Sequence, residues 1–261
     1  MLVIGDETRV GRALAQREDR EEMAPADTTS DVTLVLTSCG RQDLLERTLD
    51  SFLRYNTYPI REFIIIEDGD GSKNQKLAQK YQNFPFIWLA SAERVGQVAA
   101  IDIAYSKVKT DFIFHCEDDW EFFAPRFIEK SVVILKGRDD ILQVNVRAPD
   151  DLNGHPVLEC VILEKEIPYR LISHHYDAGD WGIWHGFAWN PGLRRRRDYN
   201  LLGSFGSLDP SGSKLPWQVE REASEFYQKH GFFAAILADN NGLGYVRHLG
   251  EDRHVPELPQ P

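Results

Sequence analysis

Residues 111–120 read DFIFHCEDDW, an apolar run that breaks off into three consecutive acids. An apolar segment of this length without polar alternation is what a strand buried on both faces looks like. Acids crowded at its tip repel one another unless a cation joins them. A hard divalent ion takes oxygen ligands and keeps positions open for phosphate oxygens. Glu117, Asp118 and Asp119 are therefore candidate cation-handling residues, the alternative being a solvated acidic turn. The same shape occurs upstream, where EFIIIEDGDG (62–71) runs from apolar residues into acids and glycines. Its acids could accept hydrogen bonds from a base or ribose, although an Asp-Gly turn is common in any protein.

Outward from these two segments the rhythm is regular. VTLVLT (32–37), FPFIWLA (84–90) and ILQVNV (141–146) are further strand candidates. Between the strands lie helical patterns at 41–55, 72–82, 94–108 and 125–136, the second with Ser72 as its expected N-cap and the fourth with Pro125 in its first turn. Strands alternating with helices at short spacing indicate an α/β fold with a mostly parallel central sheet and helices on both faces. Ligands in such sheets bind at the carboxyl ends of the strands, which puts both acid clusters on one working edge. After about residue 150 the rhythm changes. A Trp-, Gly- and Arg-rich stretch (177–199) precedes a helix pattern at 215–233 with a stop at Gly231, a last strand FFAAILA (232–238), and GYVRHLGEDRHV.

Composition limits the functions available. With 30 Lys and Arg against 41 Asp and Glu, the net charge is −11, which excludes a general nucleic-acid binder that needs a basic face. An anionic substrate would have to be met by a few arginines or a metal ion. Cys39, Cys116 and Cys160 are widely spaced and odd in number, and are expected to be small buried residues instead of a disulfide set. No apolar run approaches the ~20 residues of a membrane helix, so no integral membrane segment is expected. The opening MLVIGDETRVGR meets an acid and arginines too early for a signal peptide, and a cytoplasmic location is the expectation. Residues 1–30 read as a polar arm and 256–261 as a tail. The span 31–255 reads as one domain, divided at 147/148.

The ordered set VTLVLTSCGRQDLLERTLDSFL, IIIEDGDGS and FHCEDDWEFFAPRFIEK resembles the family 2 nucleotide-sugar glycosyltransferases of GT-A fold. The Glu-Asp-Asp form is also similar to GT-A N-acetylglucosaminyltransferases. The resemblance is continuous over 31–136, with scattered matches to about 255. It implies a nucleotide-sugar half (31–147) and an acceptor half (148–255). It also implies transfer of a sugar from a nucleotide diphospho-sugar, most simply a UDP-sugar, to a hydroxyl acceptor with inversion, assisted by Mn²⁺ or Mg²⁺. Thr37 and Arg41 would line the nucleotide pocket, Asp68 would meet the base, and Arg94 and Gly96 would start the neighbouring helix. Glu117 would open the acidic motif, Asp118 would lie near ribose or sugar, and Asp119 would bind the metal, with His248 as a late ligand to metal or diphosphate. The proton-accepting carboxylate would be Glu220, eleven residues before Gly231, with Glu222 second and Asp180 third. Two departures are Glu67 where the family more often has Asp, and Asp102 where Asn is common.

Other residues admit two readings. Trp181, Trp184, His185, Phe187 and Trp189 could form a sugar platform or serve as core. Arg194 to Arg197 could neutralise a diphosphate, about two of them at most facing one way. Two rival functions follow from the same residues. One is a binding protein of this shape without turnover. The other is a nucleotidyltransferase, for which SCGRQD is a poor phosphate loop. The oligomeric state is not encoded legibly.

Overall fold

In a computed structural model, residues 29–250 are described; the expected arm and tail fall almost wholly outside them. In chain order the elements are β1 (Val32–Ser38), α1 (Gln42–Tyr55), β2 (Glu62–Glu67), α2 (Gln75–Lys80), β3 (Phe86–Ala90), α3 (Gln97–Tyr105), β4 (Phe112–Glu117) and β5 (Trp120–Phe122). There follow α4 (Phe127–Gly137), β6 (Ile141–Asn145), β7 (Ile162–Glu164), β8 (Ile167–Leu171), β9 (Tyr176–Asp177), β10 (Ile183–Trp184), β11 (Gly192–Arg195), α5 (Arg196–Leu202), α6 (Pro216–Lys229), β12 (Phe233–Leu237) and β13 (Val246–His248).

Nine strands form one sheet in the order β3-β2-β1-β4-β11-β6-β12-β8-β7. β3, β2, β1 and β4 run parallel, and β6 and β12 run parallel to each other. β11 enters between β4 and β6 antiparallel to both. The tips of β1, β2, β4, β6 and β12 therefore share one edge with the start of β11. The parallel strands β1, β2 and β4 are covered on both faces, which is why they are largely unbroken apolar runs. One face packs Leu45, Leu49 and Phe52 of α1 with Ile128 and Leu135 of α4 against Leu34, Phe63 and Phe114. The other packs Ala100 and Ile101 of α3 and Val219 and Ala223 of α6 against Val35, Ile64 and Ile113. Among the described residues no helix is long and apolar enough to cross a membrane.

Several local expectations need correction. The helix expected over 72–82 is a 3₁₀ turn, Gly71–Asn74, running into the short α2, and its cap is not Ser72. Asp70 instead accepts the Ser72 N–H at 2.9 Å, a local turn that competes with helix formation. α3 starts only at Gln97, because Gly96 (φ 87°) turns the chain and Asp68 takes the N–H groups of Val95 (2.6 Å) and Gly96 (3.1 Å). Only Cys116 of the three cysteines is buried; Cys39 is half-buried and Cys160 exposed.

The four arginines do not gather at the working edge. Arg194 and Arg195 lie in β11, and Arg195 pairs in register with Phe112 at the opposite edge. There the Arg195 guanidinium binds the carbonyls of Ile141 and Leu135 and the Asp198 carboxylate. Arg196 donates to the Thr110 carbonyl at 2.8 Å, and Arg197 pairs with Asp139. Arg195 to Arg197 hold the fold together and cannot reach a leaving group at the far edge.

Candidate active site

β4 carries Glu117 at its tip, and the chain then turns through Asp118 and Asp119 into β5. Thr48 of α1 fixes this turn from behind: its hydroxyl donates to the Asp118 carbonyl (2.8 Å) and accepts the Trp120 N–H (3.1 Å). Asp118 is fully buried and accepts from the Ser38 hydroxyl at 2.9 Å. Arg41, at the entry to α1, bridges Asp118 and Asp119, reaching Asp119 Oδ2 at 2.9 Å. On the other side of Asp119 stands His248 of β13, with Nε2 at 3.3 Å from the same oxygen. Its strand is brought there by antiparallel pairing with β5. The following Gly250 passes so close that a Cβ would lie 2.5 Å from Asp119 Oδ2. The second Asp119 oxygen, Oδ1, is buried without a hydrogen-bond partner.

Electrostatics separate the three acids. Burial pushes Glu117 up to about 8, aided by the charges of Asp119, Glu220 and Asp118. Gln97 of α3 donates to Glu117 Oε1 at 2.7 Å. Burial also raises Asp118 to about 6, against the pull of Arg41. For Asp119 burial acts in the same sense, but the hydrogen bond to His248 and the charge of Arg41 outweigh it, and the group stays below the usual carboxylate range. Asp119 is thus the acid most firmly held as an anion, with one lone-pair set unused.

Of the three candidate bases, the structure brings one to this edge. α6 begins at the working edge and runs down the sheet, so that Glu220 sits beside the loop leading into β11. Its Oε1 accepts the Trp189 N–H at 2.6 Å. Burial pushes Glu220 up to about 7, opposed by the Trp189 N–H and by the charges of Arg194 and Arg147. Glu220 is close enough to Glu117 to raise its proton affinity. Glu222 instead pairs with Lys214 at 2.6 Å on a partly solvated face. Asp180 is exposed in a 3₁₀ turn, Gly179–Trp181.

The donor-side residues occupy neighbouring strand tips. Thr37 pairs in register with Glu117. Asp68, 5% exposed, anchors the Val95–Gly96 turn, and Arg94 Nε lies 3.8 Å from it. Glu67 is structural: its oxygens take the Gly40 N–H (2.5 Å) and the Asn74 amide (3.1 Å), so it is not available to a base or ribose. Asp102 is structural too, accepting from Tyr199 Oη, Phe205 N and Gly206 N. The aromatic stretch divides. Phe187 and Trp189 are core, whereas Trp181 is 55% exposed and stands edge-on to Trp217, with centroids 4.8 Å apart. Sequence reading missed Ser38, Thr48, Gln97 and Arg147. Ser38 was findable as the last residue of an apolar strand. Arg147 carries no local signal, yet it lies over the Trp120 ring at 4.8 Å.

Comparison with known proteins bears on the family and the fold. The sequence profile of Glycosyl transferase family 2 matches residues 33–198. Among solved structures, the chain superposes on a mannosyltransferase, PcManGT from Pyrobaculum calidifontis, in complex with GDP-Man and Mn²⁺. The TM-score is 0.54 at 16% identity, over 85% of this chain and 61% of that one. Similar values hold for S. aureus TarS 1-349 in complex with UDP (TM-score 0.52, 12% identity, 83% and 60% covered). GalNAc-T7 with UDP, GalNAc and Mn²⁺ gives 0.56 at 17% identity, with 83% and 43% covered. The chain thus spans about three fifths or less of the length of these structures. No curated protein matches at a significant level. At such identities the superpositions establish the fold, which is GT-A, while the profile covers more than half of the sequence. The chain belongs to glycosyl transferase family 2.

Proposed function

We propose that the protein is an inverting, metal-dependent transferase that moves a sugar from a nucleotide diphospho-sugar, a UDP-sugar in the simplest case, to a hydroxyl acceptor. The observation that carries this reading is the meeting, at one sheet edge, of Asp119, held as an anion beside His248, with a separate carboxylate, Glu220, whose proton affinity burial raises to about 7. Thr37, Arg41, Asp68, Arg94 and Gly96 ring the tips of β1 and β2, where the nucleotide would lie. Asp118 stays fixed by Ser38 and Arg41, so that its neighbour keeps one orientation.

Asp119 and His248 fit a divalent ion. A buried, unpartnered carboxylate oxygen and an imidazole nitrogen are suitable hard and borderline donors for Mn²⁺ or Mg²⁺. Among the described residues no group of three or more His, Cys, Asp or Glu is spaced to hold a metal unaided, so donor phosphate oxygens and water would complete the shell. When bound, the ion supplies neutralisation of the departing diphosphate.

Glu220 would act on the acceptor. Its Oε1 is engaged by the Trp189 N–H, which leaves Oε2 to take the hydroxyl proton. The acceptor oxygen then bonds to the anomeric carbon as the bond to the diphosphate breaks on the opposite side. A base poised near 7 is half available at neutral pH and strong enough to accept the proton as attack proceeds. The test is a thermal-shift panel of UDP- and GDP-compounds with and without Mn²⁺, followed by nucleotide release from the donors that bind. The reading fails if no nucleotide sugar stabilises the protein and Asp119→Ala changes nothing. Binding without any release would point to a non-catalytic protein.

A further inference from the structure

Arg194 lies in the middle of β11, between Ile113 of β4 and Gln143 of β6, and is only 3% exposed. A buried guanidinium in a central strand costs stability that a well-packed apolar residue would not. Its surroundings give that charge a use. Arg194 Nη2 donates to the Ala188 carbonyl at 3.1 Å. The N–H of the same peptide unit, that of Trp189, donates to Glu220 at 2.6 Å. No peptide bond among the described residues is cis, so the carbonyl and the N–H of this unit point to opposite sides. One rigid plane is therefore gripped at its oxygen end by a permanent cation and presents its N–H end to the candidate base. The ring of Phe187 supports the guanidinium from one side at 5.2 Å.

Resting on the transferase reading above, we propose that Arg194 is the positioning residue of Glu220: by holding the 188–189 peptide it aims the Trp189 N–H that orients the carboxylate, and its charge polarises that peptide toward stronger donation. Such polarisation strengthens a hydrogen bond in a low-dielectric interior. Arg194 also acts on the buried Tyr105 hydroxyl of α3, while Gln143 Oε1 on the adjacent strand is buried without a hydrogen bond. The other charged groups acting on Glu220 are Arg147, just beyond β6, which favours its anion, and Glu117 at the tip of β4, which opposes it.

The test reads Glu220 directly, by carboxyl-carbon NMR of the full chain labelled at glutamate, with its resonance assigned by loss in Glu220→Gln. In Arg194→Met the Glu220 titration midpoint should rise by about one pH unit. Arg194→Lys, which keeps the charge, should rise less. Arg194→Gln stands in if the Met variant does not fold. In turnover, Arg194→Met should lose about fivefold in kcat at pH 7 and recover it near pH 9, with donor KM unchanged. A purely structural role would give a loss that no pH restores. An unmoved Glu220 titration in a folded, charge-free variant overturns the proposal. Full turnover by Glu220→Gln would instead remove the base reading, and the NMR titration distinguishes that failure from a failure of the clamp.

Discussion

Replacing Glu220 by Gln should make the protein more stable and nearly inactive at once. The substitution keeps an oxygen for the Trp189 N–H and removes only the charge. In the fold Glu220 rises from 4.5 to about 7 because burial disfavours its anion. That rise corresponds to at most roughly 3 kcal/mol of preference for the neutral form. Since the residue keeps an edge in solvent, about half of this, ~1.5 kcal/mol, is a realistic figure. The sign follows from linkage: the stabilising contribution of the protonated group is complete below its unfolded value near 4.5 and is lost as pH rises through about 7. Above that the wild type carries a buried charge that the Gln variant lacks. Differential scanning fluorimetry at pH 8.5 should therefore show Glu220→Gln melting about 3–6 °C above wild type, with the difference closing at pH 5. In parallel, loss of a general base should lower transfer by about 10²–10⁴-fold. The reasoning is refuted if the variant is less stable at pH 8.5, if its advantage persists at pH 5, or if transfer falls by less than about threefold.

Glu222→Gln, which disturbs only a partly solvated pair with Lys214, should stay within about twofold of wild-type turnover and ~0.5 kcal/mol of its stability, by the same two assays. Asp119→Asn should abolish any rise in melting temperature that Mn²⁺ adds to nucleotide binding, and His248→Ala should weaken it; a thermal-shift series in metal concentration measures both. Asp102→Ala strips three hydrogen bonds, from Tyr199 Oη and the N–H groups of Phe205 and Gly206. Denaturant unfolding should show a loss of about 2–4 kcal/mol.

The first half of the fold was open to reading in one dimension because its strands are local. VTLVLT, EFIIIE and DFIFHC each declare burial by an unbroken apolar run, and parallel pairing requires the helices that their spacing supplies. The acids at two of those tips had to fall on the same edge, since parallel strands share an orientation. What sequence pattern could not rank was which acids work and which build. Glu67 and Asp102 look as available as Asp119, yet Glu67 ties β2 to the Gly40 and Asn74 segments, and Asp102 holds a distant loop.

The second half was hard to read because its strands are short and paired across long separations. β11, at Gly192–Arg195, hides in an arginine run because a central strand normally excludes such residues. Only the completed sheet reveals that Arg194 has partners for burial, and that Arg195 to Arg197 face away from the working edge. The amino-acid sequence by itself determined the α/β alternation and the placing of a charged edge, because both follow from short-range periodicity. Resemblance put Glu220 ahead of Glu222 without a physical reason; the tertiary structure alone supplied one, because on a helix those positions face different ways, and Glu220 meets the Trp189 N–H while Glu222 pairs with Lys214.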